Sequence, residues 1–212
     1  MTIIDLSHFI SNDMPVYPDT HSPVIQVANT IEKNGYAEKV ISMSTHTGTH
    51  IDAPAHMIKG SKTLDMFGID HFIGEGKVID LSGKEKKLIE TEDIADEMDG
   101  IEKIDFLLFY TGWSRFWGDE KYFRDYPVLS ENLVKSLTGY KLKGIGFDII
   151  SIDPVGVSEF RNHMTVFGKN MIIIENLKNL ETLIGKVFTF FCLPLKIEDS
   201  DGSPVRACAI IH

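Results

Sequence analysis

Residues 44–56, STHTGTHIDAPAH, constrain this chain more than any other stretch. They hold His46, His50 and His56, three of its eight histidines, together with Asp52 and no lysine or arginine. His46, Gly48, His50, Asp52 and His56 all occupy even positions, so in an extended chain they face one side. Sharing a side is not sharing a place. Residues four apart in a straight strand are about 13 Å distant, whereas a metal ion needs each imidazole nitrogen at about 2.0–2.1 Å. The chain must therefore bend between His46 and His50, and Gly48 permits the bend. Pro54 ends the extended segment and suits the first turn of a following helix, which would return His56 to the same cavity. Asp52 also has a plainer reading, as the N-cap of a helix starting at Ala53. Nitrogen and oxygen donors without thiolate suit Zn, Mn or Fe rather than a Cys-type structural zinc site.

The rest of the chain is that of a globular protein: 212 residues, 43% hydrophobic and 25% charged, enough for one domain over 1–212. A formal net charge of -10 argues against nucleic-acid and anionic-membrane partners, which are bound through clustered Lys and Arg. Cys192 and Cys208 lie in apolar runs without metal-site spacing and read as buried small hydrophobes. The start, MTIIDLSHFI, has neither a basic leader nor a long apolar stretch, so a cytoplasmic location is expected. His8, His21, His71 and His212 read as ordinary polar residues.

Strands are expected in KVISMSTHTG (39–48), KVIDLSG, IDFLLFYTG, GIGFDIISID, KVFTFFCLPL and PVRACAIIH, several of them apolar enough for burial on both faces. Residues 14–23, with three prolines, exclude helix and central strand. Helices are expected at TEDIADEM, at SENLVKSL with Ser130 as N-cap, and at ENLKNLETLIG with leucines 177, 180 and 183. Strands interleaved with short helices make a mixed α/β, β-rich domain.

The spacing His46-x-Gly48-Thr49-His50-x-Asp52-x-Pro54-x-His56 resembles the H-x-G-T-H-x-D-x-P-x-H signature of the cyclase-like metal-dependent hydrolases. That family includes bacterial kynurenine formamidase (arylformamidase) and isatin hydrolase. IDLSHFISNDMPVYP, GFDIISIDP and SPVRA (203–207) are similar to other recurring segments of the family, so the resemblance spans the chain. It implies a swivelling β/β/α fold and an assembly of dimers or higher homo-oligomers. It also implies His46, His50 and Asp52 as ligands of a first metal, Asp52 bridging to a second, and His56 as the acid/base. In the formamidase branch a histidine and a glutamate twelve residues apart complete a two-metal site, Zn or Mn; the matching residues are His163 and Glu175. Glu175 ends an apolar run, where an ionised carboxylate is costly without a cation.

Such a site activates water at neutral pH and polarises a carbonyl, while an imidazole is suited to protonating a leaving nitrogen. No G-x-S-x-G turn supports serine chemistry. Tyr17, in VYPDT, stands where kynurenine formamidases carry the tryptophan of V-W-P-G-D, and the glycine is missing. Tyr17 is thus a candidate substrate-binding residue. The substrate expected is a small aromatic or cyclic amide. A lactone, a lyase or cyclase reaction, and metal binding without catalysis are the alternatives.

Overall fold

Alternation along Phe106–Tyr110 divides the interior in two. Leu107 and Phe109 enter a core of 23 buried residues, whereas Phe106 and Leu108 enter a second core of 18 on the opposite face. In the computed structural model, which describes residues 1–212, this strand lies at the centre of the sheet that separates the cores.

The strands are β1 (Thr2–Asp5), β2 (Val24–Asn29), β3 (Glu38–Ser42), β4 (His50–Asp52), β5 (Ile73–Asp80), β6 (Leu88–Ile89), β7 (Phe106–Tyr110), β8 (Val128–Leu129), β9 (Gly144–Phe147), β10 (Ile172–Glu175), β11 (Phe188–Phe191), β12 (Gly202–Pro204) and β13 (Cys208–Ile211). Nine of them form one sheet in the order β1-β13-β11-β5-β7-β9-β10-β4-β12. The middle four, β5-β7-β9-β10, run parallel; the flanking strands pair antiparallel. Burial on both faces explains why β7 and β10 are almost continuously apolar. The helices α1 (Ile31–Asn34), α2 (Glu131–Leu137) and α3 (Arg161–Phe167) are short. α2 and α3 pack together and cover the larger core. β2 and β3 form a separate hairpin that exposes Val27, Ile31, Tyr36, Val40 and Ile41.

Ser130 caps α2 as expected, its Oγ accepting from the Leu133 N–H at 3.2 Å. Two other helices are not formed. TEDIADEM holds two separate 3₁₀ turns, Thr91–Asp93 and Ala95–Glu97, broken at the buried Ile94. So short a segment has too few packed residues to sustain an α-helix. ENLKNLETLIG begins with the last residue of β10, and Asn176 and Asn179 take φ +58°, which no α-helix admits. Leu177, Leu180 and Leu183 are all fully buried, the last two in a 3₁₀ turn, whose three-residue period their spacing matches. The strand expected over 39–48 stops at Ser42, and GIGFDIISID is extended only to Phe147.

β9 lies so close to β10 that a Cβ on Gly144 would stand 2.6 Å from Ile172 Cγ1 and 2.8 Å from the Ile172 carbonyl oxygen. Gly144→Ala should therefore lower unfolding stability by about 1–3 kcal/mol, as overpacking does. Chemical denaturation measures this, and an unchanged midpoint would show that the strands spread freely.

Candidate metal centre

In β4 the central residue, Ile51, enters the smaller core, so His50 and Asp52 face the opposite side. The antiparallel register with β10 places Glu175 across from His50 and Ile173 across from Asp52. Residues directly opposite project to the same face, so Glu175 meets His50 there. Helix α3, packed against β10, brings the buried His163 to the same place. Gly48, at φ +66°, makes the bend that sets the His46 ring edge-on to His50, with centroids 5.3 Å apart. Pro54 opens a 3₁₀ turn ending at His56, whose ring lies 3.9 Å from that of His46. Asp52 caps nothing; the residue before the turn is Ala53.

Asp52 lies between two groups of donors. Its Oδ1 is 2.5 Å from His46 Nδ1 and 3.2 Å from His50 Nε2, and its Oδ2 is 4.0 Å from His163 Nε2. Glu175 spans the same gap, with Oε2 3.6 Å from His50 Nε2 and Oε1 3.5 Å from His163 Nε2. The donor atoms of His46, His50 and Asp52 lie within 4.8 Å of one another, as do those of Asp52, His163 and Glu175. Each of the three histidines has its other nitrogen engaged by an oxygen. His50 Nδ1 meets the Gly48 carbonyl at 2.8 Å, His163 Nδ1 the Asp153 carboxylate at 2.7 Å, and His46 Nε2 the Asp201 carboxylate at 2.9 Å. Such partners fix the ring and leave the inward nitrogen available to a cation. The donor set, nitrogen and carboxylate oxygen without thiolate, fits a divalent cation.

Burial opposes charge on these groups, and their neighbours oppose burial. Desolvation lowers the His46 pKa, but the Asp52 and Asp201 carboxylates outweigh it and push the imidazole up to about 10. His163 is driven in the same way, by Asp153 and Glu175, up to about 9, and His50 is also raised. Burial would raise Asp52, yet the charges of His50 and His46 hold its carboxyl well below the usual range.

The cluster forms the floor of a cavity of about 390 Å³ at the carboxyl ends of β9 and β10, where parallel sheets commonly bind ligands. Tyr17 and Val16 wall it with Met57, Ile150 and Phe160. All seven residues singled out in the sequence thus come together: His46, His50, Asp52, His56, His163 and Glu175 at the floor, Tyr17 on the wall. His8, by contrast, stacks on Trp117, and His212 contacts Thr189. Sequence reasoning missed Asp153, Asp201 and Asn176. Asn176 donates to the Gly48 carbonyl at 2.9 Å and accepts from the Tyr122 hydroxyl at 2.7 Å, steadying the bend. Asp153 lies inside the quoted segment GFDIISIDP and Asp201 two residues before SPVRA, but as lone aspartates they carried no metal spacing of their own.

The Cyclase family model matches residues 4–154. An uncharacterised protein of Methanocaldococcus jannaschii is 34% identical over 216 residues, covering 100% of both chains. Kynurenine formamidase of Bacillus mycoides is 33% identical over 210 residues, covering 96% of this chain and 95% of that one. Among solved structures, isatin hydrolase A from Ralstonia solanacearum superimposes with a TM-score of 0.88 at 26% identity, covering 100% of this chain and 92% of that one. The curled mixed sheet with few helices is the fold of these hydrolases.

The charge balance makes metal loading a proton exchange. At pH 7, below about 10 and about 9, His46 and His163 each hold a proton that a cation must displace. His50, raised as well, adds to the protons displaced, so loading with a divalent cation should release at least two protons per chain, and affinity should fall as pH falls. Calorimetry in buffers of different ionisation enthalpy reads the release. Affinity that stays constant from pH 6 to pH 8 would contradict the charge assignment.

Proposed function

The chain belongs to the Cyclase family, and we propose that residues 1–212 form one metal-dependent hydrolase domain that cleaves an amide-type C–N bond in a small aromatic substrate. The observation that carries this reading is the sharing of Asp52 and Glu175 among His46, His50 and His163 at the floor of a cavity. In this reading His46, His50 and Asp52 would hold one ion, Asp52, His163 and Glu175 would hold a second, and the ions would be Zn or Mn. When bound, such ions act as Lewis acids that lower the pKa of water and polarise a carbonyl.

The remaining steps belong to the chain. Tyr17, Met57, Ile150 and Phe160 offer apolar surface on which a flat ring packs, excluding water from its faces. The carbonyl end of the substrate is then directed to the carboxylate–histidine floor. His56 stands at that floor, beside His46 but outside the two donor groups that share Asp52, free to carry a proton. It takes a proton as water attacks and returns it to the leaving nitrogen, so that the amine departs neutral.

Similarity to kynurenine formamidase at 33% identity supports an aryl formamide as substrate, and Tyr17 in place of tryptophan supports a ring other than that of N-formylkynurenine. Similarity to isatin hydrolase supports a second reading, ring-opening of a cyclic aromatic amide by the same groups. The proposal includes a cytoplasmic location and a homo-oligomer. A two-stranded hairpin is marginal in water by itself, and β2–β3, with its exposed Val27, Ile31 and Val40, offers a second copy an apolar surface. A monomer mass by light scattering would remove the oligomer.

His56→Ala separates catalysis from metal storage. The variant should keep the wild-type metal content, about two ions per chain by elemental analysis, and lose about 10²–10⁴ in kcat on aryl formamides or cyclic amides. His50→Ala should lose metal and activity together. Unchanged turnover in His56→Ala would contradict the mechanism, and product without ¹⁸O from labelled water would assign a lyase or cyclase instead.

A further inference from the structure

Asp201 stands 155 residues from His46 in sequence and touches it in space. The Asp201 carbonyl accepts from the Ala53 N–H at 2.8 Å, which ties the segment to β4 beside Asp52. Gly202, paired with Asp52 across β4 and β12, carries the His46 ring on its bare Cα; a Cβ there would lie 2.6 Å from the imidazole. The Asp201 side chain is then fixed at both oxygens. Thr45 Oγ1 donates to Oδ1 at 3.1 Å, while Oδ2 receives His46 Nε2 at 2.9 Å and faces His56 Nδ1 at 3.5 Å. One carboxylate oxygen therefore serves two imidazoles with different tasks.

The geometry points to Asp201 as the positioning residue of the site, one carboxylate that sets the working nitrogen of both His46 and His56. An acceptor at His46 Nε2 keeps the proton on that nitrogen and leaves Nδ1, the atom facing Asp52, as the donor to a cation. An acceptor at His56 Nδ1 leaves Nε2 as the atom that exchanges a proton with substrate, the arrangement by which a carboxylate orients the histidine of a hydrolytic triad. His46, His56 and Asp201 also place donor atoms within 4.8 Å of one another, as a third metal group would. A neutral imidazole has a single lone pair, however, and that of His46 is committed toward Asp52. The Asp201 side chain is 43% exposed, so its role is local orientation and its loss leaves the core intact.

This inference rests on the hydrolase reading for His56 and on metal binding alone for His46, and the test keeps the two apart. Asp201→Ala and Asp201→Asn are compared with wild type for Zn affinity by chelator competition, for ions per chain at saturation, and for kcat and KM of the Zn-loaded enzyme; unfolding curves verify the fold. Asp201→Ala should weaken Zn binding about 10–100-fold and lower kcat by a similar factor. KM should stay within about twofold, and Asp201→Asn, which keeps the oxygen but not the charge, should fall between. In a His56→Ala background saturated with Zn, Asp201→Ala should lower kcat by less than about threefold, because the proton-carrying partner of Asp201 is gone and saturating Zn offsets its effect through His46. Wild-type affinity in both Asp201 variants, or kcat losses that multiply in the His56→Ala background, would overturn the assignment. A third Zn ion per chain that vanishes in Asp201→Ala would overturn it in favour of ligation. If the wild-type enzyme hydrolyses none of the amides, the hydrolase reading fails by itself and Zn affinity still decides the role toward His46.

Discussion

Glu175 and His50 face each other across two antiparallel strands, and the site depends on that register. Shifting β4 by one residue against β10 would turn Ile51 into the cavity and bury His50 and Asp52 in the apolar core. The register is secured from both sides. Ile51 is fully buried beside Ile172 and Ile174 of β10, and β12 pairs with the far edge of β4. Apolar packing on one face of the sheet thus determines where ionisable groups stand on the other.

Burying Asp52 and Glu175 is unfavourable unless cations or hydrogen bonds meet them. Here the opposing charges are imidazoles whose pKa values rise in response, and a divalent ion can replace their protons. The outer ring of oxygens, from Gly48, Asp153 and Asp201, orients each imidazole from behind. Polar orientation from outside and carboxylate pairing from inside together fix a cluster that any single strand, being straight, would leave spread out.

What was legible in the sequence was what a short stretch of chain decides. Gly48 and Pro54 bend residues 46–56 because of their own backbone chemistry, and the alternation around Ile51 is local too. His163 was legible only through family resemblance and Glu175 through that and its place at the end of an apolar run, since what brings them together is the packing of α3 on β10, a tertiary contact. Asp201 was missed altogether, because it reaches His46 through the pairing of β12 with β4, a tertiary contact too. The helix expected over 175–185 failed for a related reason. Leucines three apart fit a 3₁₀ turn as well as an α-helix, and the left-handed Asn176 and Asn179 decide between them. The fold class was legible from the apolar strands, whereas the order of nine strands was not, because pairing partners come from distant parts of the chain.

Anomalous diffraction from crystals soaked in Mn tests the central claim most directly. The account predicts two peaks, one on each side of the Asp52 carboxylate, the first against His46 and His50 and the second against His163 and Glu175. A single peak among His46, His56 and Asp201, or none within reach of Asp52, would contradict it.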